Sequence, residues 1–338
     1  MKSWQTSCIL KRREARTAAV LAGLVVLVAL LNLCLGSETV PLQSVLRVLT
    51  GRESGTVAFR ILRYARLPRV CACLLAGSAL AVSGAIIQGV LSNALAAPST
   101  IGVNAGAGLM VAVCCAVAPT AVRVVPLAAL AGAFLGVMLV LFIAERTGAS
   151  KITLVLAGVA VSSMFSAGID AVVTFVPEAL NGYSDFRIGG FSNMSMAKVA
   201  PAVWPILLSF AAALSLHNEM DVLLLGTEQA QCLGLPAKKL RVLMLALAAV
   251  MAGAAVSISG LIGFVGLIVP HIMRRLVGEN SGALLVTSAL GGAVLLGGCD
   301  LLARLLFAPY ELPVGVVMAL LGGPFFIWLL QRRGRIHD

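Results

Sequence analysis

Apolar runs bounded by charges, prolines or polar clusters recur along the chain near residues 17–35, 69–91, 100–118, 124–144, 152–175, 200–216, 240–258, 262–275, 283–306 and 313–330. A helix crosses a bilayer core with about 20 mostly apolar residues, so the pattern predicts an all-α, polytopic protein of about ten transmembrane helices. It divides the chain into a polar segment 1–16, one membrane domain over 17–330 and a short tail 331–338. The first run follows Lys11, Arg12, Arg13 and Arg16, which raises a signal-peptide reading. Its apolar length exceeds the roughly 7–15 residues of such signals and no clear small-x-small cleavage site follows, so it reads as a retained first helix.

Composition points the same way. The chain is 60% hydrophobic and 12% charged, with a mean hydropathy of +1.02, which excludes a soluble single-core protein and makes lipid the solvent. Many of the 34 glycines recur with Ala and Ser inside the runs, as in Ala76, Gly77, Ser78, Ala79, Ala81, Ser83 and Gly84. Helices in lipid associate through close backbone approach at such positions, which predicts a tightly packed bundle. Ser83-Gly84-Ala85-Ile86 is echoed by Ser259-Gly260-Leu261-Ile262, about half the chain away and in the opposite predicted direction, a faint sign of an inverted repeat.

The net charge of +11 is spread in short groups between apolar runs, which suits membrane orientation rather than nucleic-acid binding. With an even number of spans and the N terminus inside, the cytoplasmic side collects Arg146, Lys151, Lys238, Lys239, Arg274, Arg275, Arg332, Arg333 and the N-terminal group. The exception is the first outer segment, where Arg47, Arg52, Arg60, Arg63, Arg66 and Arg69 crowd together. Two readings stand: a solvated interfacial segment, or a docking surface for an acidic partner.

Little of the chain suggests catalysis. The eight cysteines lack metal-ligand spacing and mostly lie within apolar runs, His217, His271 and His337 are scattered, and no Ser-His-Asp or paired-carboxylate set stands out. No Gly-Lys-Ser/Thr phosphate loop occurs, and glycine-rich Gly102 to Gly108 lacks the lysine, so ATP hydrolysis is not expected of this chain. Among ionisable residues within runs, Asp300 and Arg304 are four apart and predict an intrahelical pair, and Asp170 falls toward the outer end of its helix. The polar interruption Glu228-Gln229-Ala230-Gln231-Cys232-Leu233-Gly234-Leu235-Pro236, within a cytoplasmic segment of about 226–239, predicts either an ordinary loop or a short helix ended by Gly234 and Pro236 that fits a groove on a soluble partner.

Read in order, Arg66-Leu67-Pro68-Arg69, Leu75 to Gly84 and on to Gln88, Asn93-Ala94-Leu95-Ala96-Ala97-Pro98, Leu233-Gly234, Gly260 to His271, Asp300 to Arg304, Glu311-Leu312-Pro313-Val314-Gly315 and Gly323-Pro324-Phe325-Phe326 resemble the iron-siderophore and cobalamin permeases (FecCD-type) of the ATP-binding-cassette class. The resemblance runs from about residue 60 to the end. It implies a type II importer permease in the bacterial cytoplasmic membrane with both termini cytoplasmic. Its expected partners are a second permease subunit, as homodimer or close heterodimer, two cytoplasmic ATPase subunits that use the ATP, and an extracytoplasmic binding protein. No cofactor or metal is expected on this chain.

By motif, the resemblance assigns Arg66, Arg69 and Arg304 to docking of the binding protein's acidic residues. It assigns Glu228, Gln229, Ala230, Leu233 and Gly234 to coupling with the ATPases, and Asn93, Leu95 and Ser150 to a cytoplasmic gate. The run from Leu154 to Asp170 would line the path, with cargo moved by alternating access. Ala94 and Ala97 depart from the family's usual Asn-Pro-Leu-Ala and acidic-Pro pattern. Ferric siderophore is the first expectation for cargo, with haem or cobalamin as alternatives. An ion-coupled secondary transporter is the reading from another class, although few titratable groups lie deep in the runs. Replacing the three arginines is expected to weaken docking and leave the fold intact.

Overall fold

The computed structural model describes residues 2–334 apart from 37, 52–54, 122–123, 148–150, 307 and 309. Its α-helices run in order α1 (Lys2–Cys34), α2 (Leu42–Leu49), α3 (Val57–Arg60), α4 (Leu67–Val90), α5 (Val103–Val117), α6 (Val125–Arg146), α7 (Lys151–Phe175), α8 (Ala179–Ile188), α9 (Met196–Ser215), α10 (His217–Leu224), α11 (Thr227–Cys232), α12 (Ala237–Ser259), α13 (Val265–Val277), α14 (Ser281–Leu305) and α15 (Val314–Gly334). Each of the ten predicted runs carries a helix. Among the described residues, seven helices are long and apolar enough to cross a membrane, and α5 and α15 are shorter apolar helices.

The second span begins earlier than its apolar run suggests. α3 passes through a π-helical turn, Ile61–Arg66, directly into α4, so helix is continuous from Val57 to Val90. Pro68, which has no N–H to donate, falls two residues after the π-helical turn, where the regular i→i−4 ladder is already interrupted. α4 and α12 form the centre, with 72% and 67% of their apolar windows buried against 28% for α7 and α9. α4 packs on α12, α13 and α14, α1 lies on α14, and α5, α6, α7 and α8 form a second group joined through α6 and α12.

Small residues set these crossings. A Cβ on Gly77 would collide with the Gly292 backbone, one on Gly84 with Gly266, and one on Gly106 with Gly132, so α4–α14, α4–α13 and α5–α6 meet backbone to backbone as the small-residue pattern predicts. Hydroxyls also fasten α4 to its neighbours: Ser78 Oγ donates to the Ala289 carbonyl of α14 at 2.9 Å and Ser83 Oγ to the Ala248 carbonyl of α12 at 2.7 Å.

Two irregular stretches shorten the neighbouring helices. Residues 91–102, with a 3₁₀ turn at Pro98–Ile101, lead into α5, and 260–264 separate α12 from α13. Irregular backbone at membrane depth needs protein partners: in the second stretch Leu261 N donates to Phe186 O (2.9 Å), and at the end of α12 beside it Ser259 O accepts from Gly190 N (2.8 Å). Phe264 holds a left-handed φ of 68°, its ring seated against Gly322 of α15, where no side chain would fit. The four-residue echo therefore does not mark equivalent places: Ser83–Ile86 lie in mid-α4, whereas Ser259 ends α12 and Gly260 turns at φ +68°.

Candidate functional site

The C-terminal ends of α1 and α14 and the N-terminal end of α4, placed outside by the sequence pattern, meet at an arginine cluster. Arg66 leaves the π-helical turn and is 6% exposed. Its Nη1 donates to the carbonyls of Leu33 (2.6 Å) and Cys34 (2.9 Å), and its Nη2 to that of Glu38. A guanidinium at the C terminus of α1 meets carbonyls that have no intrahelical donor and the negative end of the helix dipole. Arg304, 5% exposed, grips the same end: Nη1 donates to Leu35 O at 3.1 Å and Nη2 to the Asn32 backbone and side-chain oxygens. Gly36 makes room, since a Cβ there would stand 3.0 Å from Arg66 Nη2 and 3.3 Å from Arg304 Nη1.

Arg69 lies one helical turn beyond Arg66 and is held by carboxylates instead. Nε and Nη2 donate to Asp300 Oδ1 at 3.0 and 2.9 Å, and Nη1 donates to Glu311 Oε2 at 2.7 Å. Asp300 Oδ2 pairs with Arg304 Nε at 3.3 Å, four residues along the same helix, so the predicted intrahelical pair is one edge of a larger network. Arg66, Arg69, Arg304, Glu38, Glu311, Tyr64 and the 191–194 segment line an open depression of about 670 Å³.

This geometry corrects one expectation. Arg66 and Arg304 are built into the fold by hydrogen bonds to α1, so replacing all three arginines with acids disturbs the structure as well as the surface. The exposed arginines of this region are Arg47, Arg60 and Arg63, while Arg52 lies outside the described residues. Glu311 was visible in sequence only as part of a family motif, and nothing in the apolar pattern brings it to Arg69.

At the opposite end of α4 sits the segment expected to be cytoplasmic. A Cβ on Gly89 would press on Met220 of α10, about 30 Å along the helix from Arg69 at 1.5 Å per residue. The predicted short helix is present as α11, started after Gly226 (φ +121°) and stopped by Gly234 (φ +81°). Leu235 N donates to Ala230 O and Gly234 N to Gln231 O, the paired bonds of a Schellman cap. Ala230 is fully buried and Arg241 Nη2 reaches Thr227 Oγ1 at 2.7 Å, tying α11 to α12. Glu228, Gln229, Leu233 and Gly234 are exposed, with Leu233 at 65%.

Of the gate residues, Asn93 and Leu95 sit together: Asn93 Oδ1 accepts from Leu95 N at 2.9 Å, an Asx turn that shapes the stretch after α4. Ser150 lies outside the described residues. Where the family pattern has an acidic residue before Pro98, the Ala97 backbone is held by Thr100, whose Oγ1 accepts from Ala97 N (3.2 Å) and donates to Ala97 O (2.7 Å). Val159, Ser162, Ser163, Ser166, Ala167 and Asp170 of α7, with Ser99 and Thr100, line a second open cavity of about 590 Å³. Gln88 had no assigned role in sequence; buried on α4, it donates to Gly266 O at 3.1 Å and accepts from Arg274, locking α4 to α13.

The described residues form a multi-helix bundle with spans apolar enough to cross a membrane, a charged depression at one end and a capped short helix at the other. A profile described as the FecCD transport family matches residues 24–332, and the chain belongs to that family of ATP-binding-cassette permeases. It is 38% identical over 325 residues to the hemin transport system permease protein HmuU of Yersinia pestis, covering 91% of this chain and 94% of that one. It is 33% identical over 326 residues to the Fe(3+)-citrate import system permease protein YfmE of Bacillus subtilis (strain 168), covering 96% and 97%. A solved chain described as a metal-chelate type ABC transporter in an inward-facing conformation superposes with a TM-score of 0.84 at 28% identity, covering 94% of this chain and 99% of that one.

Proposed function

We propose that this chain is the membrane path of an ATP-driven importer for a ferric chelate, with ferric siderophores as the cargo class. It works with a second permease subunit, two cytoplasmic ATPases and an extracytoplasmic binding protein, and both termini are cytoplasmic. The observation that carries the reading is the presence of two built surfaces at opposite ends of α4: the arginine-lined depression and the capped α11. The first suits an acidic partner outside and the second a cleft inside. Asn93 and Leu95 close the inner end of the path, Ser150 contributes to that gate, and the hydroxyl-lined face of α7 borders the path.

The cycle is alternating access. The loaded binding protein docks on the Arg66, Arg69 and Arg304 region, and ATP-driven closure of the ATPases moves Glu228, Gln229, Ala230, Leu233 and Gly234 together with α12, to which the Arg241–Thr227 bond ties α11. Each partner shifts the balance by binding one state better than the other. Haem is the second reading, favoured by the similarity to the hemin permease over nearly the whole chain, and cobalamin is a third within the same mechanism.

Uptake of radiolabelled ferric siderophores, hemin and cobalamin by cells with and without this chain tests the proposal, alongside a Glu228/Gly234 double variant. Loss of one cargo in both strains supports ATP-coupled import and names the cargo. Loss on deletion alone removes the coupling assignment, and no loss for any cargo overturns the substrate class.

A further inference from the structure

Arg69 is held by two carboxylates that differ in how firmly they are fixed. Asp300 is 1% exposed, accepts from two Arg69 nitrogens and shares its second oxygen with Arg304. Removing it strands buried charge, so it stays. Glu311 takes only Nη1, its side chain is 36% exposed, and Arg69 is its single ion pair among the described residues. The backbone beside it is anchored, with Leu312 N donating to Ala303 O at 3.1 Å, while the carboxylate itself lies on the rim of the outer depression. Arg69 and Arg304 are thereby balanced by Asp300 and Glu311, and the Arg69 edge that faces the depression is already occupied.

We propose that Glu311 is an internal stand-in for the docking carboxylate. It holds Arg69 Nη1 while the outer face is empty, and it yields that nitrogen to an acidic side chain of the arriving binding protein. The inference rests on the docking reading above and adds the exchange to it. The Glu311 carboxylate, bound through one nitrogen and open to solvent on its own side, can be traded for an incoming one, whereas the buried Asp300 keeps the guanidinium aimed throughout. Glu311 thus sets how tightly the outer face holds its partner, and its presence keeps docking reversible.

The sign of the effect separates this from a structural role. The full permease–ATPase complex in nanodiscs is titrated with the purified extracytoplasmic protein whose deletion abolishes uptake through this permease, at low ionic strength. Glu311→Gln is expected to bind it about two- to fivefold more tightly than the wild type and with a steeper loss on adding salt. Modification of Arg69 by phenylglyoxal, followed by peptide mass spectrometry on the permease alone, rises severalfold in the same variant. Wild-type binding that is unchanged or weakened by Glu311→Gln overturns the exchange alone, as does an unchanged phenylglyoxal rate. A wild-type complex that does not bind the partner protein overturns the docking reading and this inference with it.

Discussion

On the proposed function, the outer and inner ends of α4 would recognise their partners in different ways. Outside, each guanidinium of the cluster is engaged within the subunit: Arg66 by three carbonyls, Arg304 by α1 and Asp300, and Arg69 by Asp300 and Glu311. Inside, α11 is fixed by its own backbone caps, a buried alanine and the Thr227–Arg241 bond, and Glu228, Gln229 and Leu233 stand exposed. On that reading, charge that is already paired would recognise a partner by exchange, and a capped exposed helix by shape. The first surface is therefore sensitive to salt and to single carboxylates, and the second to backbone geometry.

The strongest way to break this contrast is Asp300→Ala. It leaves Arg69 and Arg304 buried against each other, and about 3–5 kcal/mol of stability is expected to be lost, read as a lower melting temperature of the purified subunit in nanodiscs. Gly234→Val comes next. A branched side chain at φ +81° costs about 1–2 kcal/mol, and the disrupted cap is expected to abolish most stimulation of ATP hydrolysis by the loaded binding protein while docking persists.

Raising the salt concentration from about 0.05 to 0.5 M shortens the screening length severalfold. It is expected to weaken docking measured by binding titration and to leave the permease–ATPase association nearly unchanged. Leu233→Ser has the smallest effect on stability, within about 0.5 kcal/mol because the residue is exposed. It still lowers substrate-stimulated ATPase activity if α11 is read by shape, and unaltered activity would remove Leu233 from the interface.

The apolar runs made the helices legible because avoidance of water leaves a continuous trace in the sequence. The Asp300–Arg304 pair and the short cytoplasmic helix were legible for the same local reason: both depend on spacings of a few residues. What escaped was set by distant backbone. A guanidinium that bonds carbonyls places no demand on the identity of the residues it meets, so the grip of Arg66 and Arg304 on the end of α1 leaves no pattern to find. Polar α8 was missed because it lacks an apolar run, and the π-helical turn before α4 was missed because Arg60, Arg63 and Arg66 read as a loop. Glu311 reaches Arg69 across 242 residues, a distance that only the packed bundle bridges.

The pairing of Asp300 with Arg304 also bears on how the chain is made. In the orientation proposed, both residues are carried through the bilayer as α14 is inserted, at a cost of about 2.5–3.5 kcal/mol for each isolated charge near the centre of the membrane. One helical turn apart, they make the crossing as a neutral couple. Arg69 has no such companion on its own helix, and its carboxylate arrives 231 residues later. The buried pair that holds the end of α4 to α14 therefore forms only after α14 itself has been made.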